Sequence, residues 1–257
     1  MSKIADAFTN KKAFIPFLTA GDPTMEATER YIKIMADAGA DLIEIGIPFS
    51  DPVAEGPVIQ EATLRSLTHG TTTDAIFDMV ERVRPTISIP LVVMTYLNPI
   101  YVYGEERFMT RCKKAGICGV IVPDMPFEEK GVLIDVAHAH DIEVVPLIAP
   151  TSEERIGMIA KEAEGFVYCV SSMGVTGVRK EITTDVGSIV DQIKRYTDVP
   201  VAIGFGISTP EQAAAMAKVS DGAIVGSAIV RIIGEHGDKA DEALREYVQA
   251  MKVAVMF

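Results

Sequence analysis

The sequence predicts an α/β fold, and within that class a single (β/α)8 TIM barrel. Three observations indicate it. Short apolar runs rich in Val and Ile recur eight times, amphipathic stretches separate them, and the chain of 257 residues has the usual length of such a barrel. Neither a linker nor a low-complexity segment divides the chain, so we expect one domain over residues 1–257.

Eight runs are assigned to the barrel strands. Most are apolar on both faces, as parallel strands covered by helices must be. The runs are residues 14–20, 41–47, 91–96, 119–124, 143–149, 165–171, 200–207 and 222–229. A doubly wound open sheet is the alternative, but it usually has fewer strands, and no Gly-x-Gly-x-x-Gly motif follows the first run.

Amphipathic patterns fill the segments between the strands. In residues 25–38, apolar side chains recur at helical spacing, and similar patterns occur at about 105–115, 128–140, 152–163, 186–196, 209–218 and 238–253. The sequence STPEQ at 208–212 indicates a helix start, with a hydroxyl cap followed by Pro. The connection between the second and third strands is the longest, and it has room for an extra helix from Pro57 to Leu67.

Composition excludes several classes of function. The net charge of −12 argues against binding to nucleic acid or to an anionic membrane surface, because both need clustered Lys and Arg. No apolar run approaches the ~20 residues that span a bilayer. The three cysteines lack close C-x-x-C spacing and the four histidines are scattered, so we expect no metal site and no disulfide framework. We expect a soluble, cytoplasmic protein.

Glu44 is the first candidate catalytic residue. Alternation along the second strand places it on the same face as Leu42 and Gly46, while isoleucines occupy the helix-facing side. Glu44 should therefore point into the barrel. A buried basic partner is the alternative, but no Lys or Arg lies in any of the eight runs. Burial without a cation raises the pKa of a carboxyl group, and such a group can donate and accept a proton near pH 7.

Glycine clusters lie at the ends of the sixth, seventh and eighth predicted strands, at 174–177, 204–208 and 226–228. Barrels commonly bind phosphate at the loops after strands 7 and 8, where glycine lets backbone amides approach the anion. We therefore predict a phosphate site there. The loop at 172–185 is long enough to act as a lid, and the proline-rich loop at 48–57 leaves the catalytic end of the strand that carries Glu44.

Six segments together resemble the α subunit of tryptophan synthase. They are FLTAGDP (17–23), EIGIPFSDPVAEGP (44–57), GVIVPDMPFEE (119–129), LIAPTS (147–152), YCVSSMGVTG (168–177) and GFGIS (204–208). The resemblance covers essentially the whole chain. It implies retro-aldol cleavage of indole-3-glycerol phosphate, with no cofactor in this chain. It also implies that indole passes to a pyridoxal-phosphate (PLP)-dependent β subunit in an α2β2 complex.

The resemblance also implies roles for individual residues. Glu44 would transfer the proton, and Glu55, where the family normally has Asp, would accept a hydrogen bond from the indole N–H. The substrate pocket would be formed by Phe17, Thr19, Tyr96, Tyr168, Thr176 and Phe205. The phosphate would be bound by Gly177, Gly206, Gly226 and Ser227. Asp51 and Asn98 would lie near the β-subunit contact.

Two alternatives stay open at this point. Glu55 adds one methylene group to the usual side chain, and a misplacement of about 1 Å can cost about 100-fold in rate. The chain could then be a low-activity α subunit that acts mainly as an allosteric effector of the β subunit. Another phosphate-binding barrel, such as a sugar-phosphate isomerase or indole-glycerol-phosphate synthase, is the second alternative. The lack of a strand-end lysine argues against the synthase.

Overall fold

The structure is a computed structural model that describes residues 4–170, 186–204 and 206–256. Strands and helices alternate along these residues. The strands are β1 (Ala13–Thr19), β2 (Ile43–Gly46), β3 (Leu91–Met94), β4 (Gly119–Ile121), β5 (Glu143–Val144), β6 (Leu147–Ile148), β7 (Val167–Val170), β8 (Val201–Gly204) and β9 (Gly222–Val225). The predicted lid at 172–185, which includes Thr176 and Gly177, lies outside the described residues, as does Phe205.

The helices surround the strands. They are α1 (Met25–Asp37), α2 (Pro57–Thr68), α3 (Thr73–Val83), α4 (Leu97–Tyr103), α5 (Glu105–Ala115), α6 (Gly131–Ala139), α7 (Glu153–Ala160), α8 (Val186–Lys194), α9 (Pro210–Val219), α10 (Ser227–His236) and α11 (Asp241–Met256). Short 3-10 helices occur at Ala5–Phe8, Arg84–Thr86, Phe127–Glu129 and Gly237–Lys239. None of the helices in the described ranges is long and apolar enough to cross a bilayer.

All the strands pair in parallel, in the order β5-β4-β3-β2-β1-β9-β8-β7-β6. The first and last strands in this order, β5 and β6, are two halves of the single predicted strand at 143–149. Pro146 separates them because it has no N–H to donate to a strand ladder. On one side Val145 N donates to Val120 O over 2.9 Å, and on the other Tyr168 N donates to Pro146 O over 2.9 Å. This one segment therefore closes the barrel.

Apolar side chains fill the sheet's two sides as alternation predicts. Ile43, Ile45 and Ile47 belong to a large buried cluster that includes side chains from the surrounding helices. Leu42 belongs to a second cluster that draws on strands from around the whole barrel and on the amino-terminal segment. This second cluster is the barrel interior, and it lies on the same side of β2 as Glu44.

Two helix predictions can be compared with the structure directly. The connection from β2 to β3 holds both α2 and α3, and α2 begins at Pro57 as expected. Helix α9 begins with Thr209 as its N-cap and Pro210 in the first turn. Thr209 accepts a hydrogen bond from Gln212 N, and the Gln212 side chain accepts one from the Thr209 backbone, which completes a capping box.

The predicted strand runs extend too far at their carboxyl ends. The run at 222–229 ends as a strand at Val225, and Ser227 already begins α10. Ala228 and Ile229 are apolar because the first turn of α10 packs into the helix-facing cluster. An apolar run thus continues from a buried strand into a buried helix without a visible break. Helix α4 follows β3 within three residues in the same way.

Candidate active site

Glu44 lies in the middle of the barrel wall. In the parallel register it stands opposite Phe17 on β1 and Val92 on β3. Its side chain has no exposed surface, and neither carboxyl oxygen has a hydrogen-bond partner among the described residues. Burial raises the pKa of Glu44 to about 8, and no described charge opposes that rise. The expectation of a buried carboxyl group without a cation is confirmed for this part of the chain, and Glu44 is mostly protonated at pH 7.

Glu44 lines a cavity of about 50 Å³ at the carboxyl ends of the strands. The cavity brings together predicted residues from five separate parts of the chain. These are Phe17, Glu44, Glu55, Tyr168, Gly206, Gly226 and Ser227. A space of this size has room for only a few water molecules. It is well below the about 300–1,000 Å³ of sites that take larger ligands, so a bulky ligand requires some of these side chains to move.

Thr19 and Tyr96 lie in a smaller pocket that shares Phe17 and Glu55 with this cavity. Both side chains are almost fully buried, at 3% exposure each. The hydroxyl oxygen of Thr19 has no hydrogen-bond partner in the described part of the chain. The two pockets together therefore contain every predicted substrate-pocket residue that the structure describes.

Three glycines at strand ends make room for the aromatic walls. A Cβ atom at Gly46 would lie 2.5 Å from the Phe17 ring, and one at Gly204 would lie 2.5 Å from the Tyr168 ring. A Cβ atom at Gly226 would also contact the Phe17 ring, at 3.3 Å. Real Cβ contacts below 3.0 Å essentially do not occur. Sequence reasoning attributed Gly204 and Gly226 to the phosphate site alone, and it missed the packing role of all three glycines.

Gly226 and Ser227 stand at the amino terminus of α10 and line the cavity. Gly226 is the N-cap residue, and no side chain caps the amides of the first turn. Uncapped amides at a helix amino terminus attract anions through hydrogen bonding and the helix dipole. Gly206 completes the same side of the cavity with a φ of +85°, which favours glycine. These three residues can bind an anion through backbone groups, without a lysine.

Glu55 reaches the cavity from the loop that follows β2. The hydroxyl group of Tyr96 donates a hydrogen bond to Glu55 Oε2 and accepts hydrogen bonds from the amides of Val53, over 3.1 Å, and Ala54, over 2.9 Å. Burial raises the pKa of Glu55, and the Tyr96 hydrogen bond opposes that rise. The carboxylate of Asp124 adds to the increase. The two acidic residues predicted for catalysis thus share one cavity but differ in their partners.

Asp51 and Asn98 do not line the cavity. Both side chains are exposed, Asp51 on the loop after β2 and Asn98 in the first turn of α4. The sequence reasoning also missed the apolar residues of the cavity other than its aromatic side chains: Ala54, Ile59, Met94, Pro123, Leu147, Ile207 and Ile224. Met94 and Leu147 belong to predicted strand runs, so their inward orientation could have been found by alternation. Ile59 on α2 could not, because a helix packing over the barrel mouth leaves no trace in strand periodicity.

Comparisons with known proteins agree with this geometry. The sequence matches the family model described as tryptophan synthase alpha chain over residues 4–256. The tryptophan synthase alpha chain of Lactiplantibacillus plantarum is 48% identical over 256 residues, which cover 99% of this chain and 97% of that protein. The corresponding protein of Lacticaseibacillus casei is 47% identical over 255 residues, covering 99% and 96%.

Solved structures give the same result. Tryptophan synthase subunit alpha from Legionella pneumophila superposes with a TM-score of 0.89 at 35% identity, covering 99% of this chain and 98% of that one. A chain of the tryptophan synthase complex from Pyrococcus furiosus gives a TM-score of 0.85 at 37% identity, covering 94% and 98%. The inward carboxyl group, the cavity at the strand ends and the matches along nearly the full length agree. The chain belongs to the tryptophan synthase alpha chain family.

Proposed function

We propose that this chain is a lyase that cleaves indole-3-glycerol phosphate to indole and glyceraldehyde 3-phosphate by a retro-aldol reaction. The observation that carries the proposal is the state of Glu44. This carboxyl group is fully buried in a cavity at the strand ends, and its pKa is raised to about 8. A group with such a pKa gives up and takes back a proton readily near pH 7.

Glu44 serves first as acid and then as base. It donates its proton to C3 of the indole ring, which weakens the bond between C3 and the glycerol side chain. The carboxylate then accepts the proton of the adjacent side-chain hydroxyl group. The C–C bond breaks, its electron pair returns to the ring, and the hydroxyl carbon becomes an aldehyde. Glu44 ends the cycle protonated, so no other proton donor is needed.

Glu55 stabilises the charge that this sequence creates. Protonation at C3 makes the ring cationic, and the positive charge is shared with the ring nitrogen. An ionised Glu55 accepts a hydrogen bond from that N–H and becomes a closer ion pair as the charge develops. Because burial raises the pKa of Glu55, this role is lost as the pH falls through that pKa.

The remaining cavity residues bind the two ends of the substrate. Phe17, Thr19, Tyr96 and Tyr168, together with Phe205 and Thr176, form the pocket for the indole ring and the glycerol chain. Gly206, Gly226 and Ser227, together with Gly177, bind the phosphate through backbone amides. The uncapped amino terminus of α10 supports this assignment.

We further propose that this chain, as a single cytoplasmic domain, assembles with a β subunit that carries PLP, in an α2β2 complex. The solved Pyrococcus furiosus neighbour is a tryptophan synthase complex. Asp51 and Asn98 are exposed at the end of the barrel that holds the cavity, and Val53, Tyr101 and Val102 beside them in the sequence are more than 70% exposed. Exposed apolar side chains that cluster with polar neighbours are typical of an interaction surface.

The test is indole release from indole-3-glycerol phosphate by the purified chain, with and without a β subunit. The native chain should release indole, faster when the β subunit is present. Glu44→Gln keeps the shape of the side chain but cannot donate the proton. It should lower kcat by about 100-fold to 10,000-fold, the usual contribution of a general acid–base. Native-like turnover by the Gln variant would disprove the assignment of Glu44.

A further inference from the structure

The hydroxyl group of Tyr96 makes three hydrogen bonds to three consecutive residues of the loop after β2. It donates to Glu55 Oε2, and it accepts from the amides of Val53 and Ala54 over 3.1 and 2.9 Å. A phenol hydroxyl group has one proton and two lone pairs. The hydroxyl group of Tyr96 uses its proton and both lone pairs on this loop. The three hydrogen bonds together fix the position of the loop relative to the Tyr96 ring.

Tyr96 itself is fixed to the barrel. It is the N-cap residue of α4, two residues after the end of β3, and it is 3% exposed. Its ring packs against that of Phe49, with 5.5 Å between the ring centroids. The loop that it contacts is different in character, since Val53 is 71% exposed. Ala54 and Glu55 are half-buried and line the cavity, and the Gln60 side chain donates to Glu55 O over 2.8 Å. Tyr96 on the barrel therefore binds the part of the loop that lies between an exposed side chain and the cavity.

We propose that Tyr96 is a positioning residue that fixes the loop at 53–55 and aims the Glu55 carboxylate into the cavity. This inference rests on the proposed function, because it concerns the charge-stabilising role of Glu55. A carboxylate has two oxygens and about four lone-pair sites. Glu55 can therefore keep its hydrogen bond to Tyr96 and accept a second one from the substrate N–H.

The contact also explains how glutamate serves where the family normally has aspartate. The longer side chain reaches from the loop to the Tyr96 hydroxyl group, and that bond removes the rotational freedom that the extra methylene group adds. A flexible Glu side chain would lose entropy on binding the substrate. A Glu side chain already held by Tyr96 has lost it before the substrate arrives.

The same hydroxyl group favours the ionised form of Glu55. Tyr96, the N-cap residue of α4, and Asp124, in the loop after β4, act on this carboxylate directly. The titratable side chains of Glu44 on β2 and Tyr168 on β7 line the same cavity. The Tyr96 hydrogen bond lowers the pKa of Glu55, while burial and the Asp124 charge raise it. The backbone amides of Glu55 and Ala54 also lower this pKa. Removal of the hydroxyl group takes away the largest of these three favourable contributions, so the pKa of Glu55 should rise.

The experiment compares Tyr96→Phe with the native chain by indole release from indole-3-glycerol phosphate across pH 5–9. The variant should lose about tenfold or more in kcat, the usual effect of losing a hydrogen bond to a charged group. The acidic limb of its kcat/KM profile should move to higher pH, because Glu55 then ionises later. If Tyr96 only packed against its neighbours, Tyr96→Phe would lower the maximum of the kcat/KM profile and leave the pH of its acidic limb unchanged.

Tyr103→Phe is the matched control. Tyr103 lies on the same helix, and its hydroxyl group donates to the carboxylate of Asp74, so the substitution removes the same kind of bond away from the cavity. It should leave the limb unchanged. In a double-mutant cycle, Tyr96→Phe should cost far less in a Glu55→Gln background than in the native one. Equal costs in the two backgrounds would overturn the proposal.

Hydrogen exchange gives a readout that does not depend on activity. The amides of Val53 and Ala54 should be protected in the native chain and should lose that protection in Tyr96→Phe, while the Tyr103→Phe variant keeps it. Should the Tyr96 variant not fold, the native chain decides alone, because unprotected Val53 and Ala54 amides contradict the proposal. If the native chain releases no indole, the proposed function fails. If it is active but the limb and the exchange do not change, only this inference fails.

Discussion

Replacing Glu44 with Gln should change the pH dependence of stability in a way that follows from burial alone. The pKa of Glu44 is about 8 in the folded chain, against an ordinary value of 4.5. Below pH 4.5 the group is protonated in both states and has no pH-dependent effect. Between pH 4.5 and 8 the unfolded state releases the proton and the folded state keeps it, so rising pH favours unfolding.

Each pH unit in that interval lowers the free energy of unfolding by about 1.4 kcal/mol, and the full interval by about 5 kcal/mol. The glutamine side chain of the Glu44→Gln variant does not titrate. The free energy of unfolding of the variant minus that of the native chain should therefore rise by about 5 kcal/mol from pH 4.5 to 8 and stay level above pH 8. Every other group is common to both proteins and cancels.

Urea unfolding of both proteins at pH 5, 6, 7, 8 and 9 measures this difference. The slope with pH is the decisive quantity, because a constant offset between the two proteins only reports how well the Gln amide fits the cavity. A flat difference across this range would mean that Glu44 is solvated or has a cationic partner in solution. The argument from burial to proton transfer would then have no basis.

Three further changes test the site and the helix cap of α9. Glu55→Asp should lower kcat/KM by about tenfold or more, because the shorter side chain moves the carboxylate away from Tyr96. A gain in steady-state indole release would instead show that glutamate impairs the native chain. Gly204→Ala should lower the free energy of unfolding by about 1–3 kcal/mol in urea titration and raise KM, because its Cβ atom would lie 2.5 Å from the Tyr168 ring. Gly131→Ala is its control, since nothing lies within 4 Å of that Cβ position, and it should be neutral or slightly stabilising. Thr209→Ala removes the capping box of α9 and should reduce the unfolding free energy by about 1 kcal/mol, so an unchanged thermal midpoint would contradict that role.

The fold could be predicted because each buried barrel strand carries its own apolar pattern in the sequence. Runs that are apolar on both faces follow from the covering of a parallel sheet by helices, and that pattern is local in sequence. The strand ends could not be placed, since Ala228 and Ile229 are apolar for helical packing rather than for the sheet. The break at Pro146 was visible in the sequence. Its effect on strand pairing depends on which neighbouring strand would have accepted a hydrogen bond from the missing N–H, and the sequence does not show this.

The residues of the candidate site likewise differ in how far the sequence could predict them. Glu44 could be identified from alternation, because a polar residue on the inner face of one strand is unusual wherever the other strands lie. The bond between Tyr96 and Glu55 joins residues 41 positions apart through a loop whose conformation no periodic pattern specifies. The packing of Gly46 and Gly204 against aromatic rings likewise depends on the strand register. Contacts between loops and across strands need the three-dimensional structure.

The divided strand at 143–148 pairs with its neighbours through short ladders on both of its sides. β5 meets β4 through two residue pairs and β6 meets β7 through two, whereas β1 meets β9 through four. Fewer ladder bonds make local opening less costly, so the amides beside Pro146 should exchange with solvent before those of β1. Leu147, which lines the cavity of the candidate active site, lies on this segment, and it also lines a second cavity of about 480 Å³. The short ladders beside Pro146 and the second cavity next to Leu147 therefore give this part of the barrel wall room to move when a ligand larger than the small cavity binds.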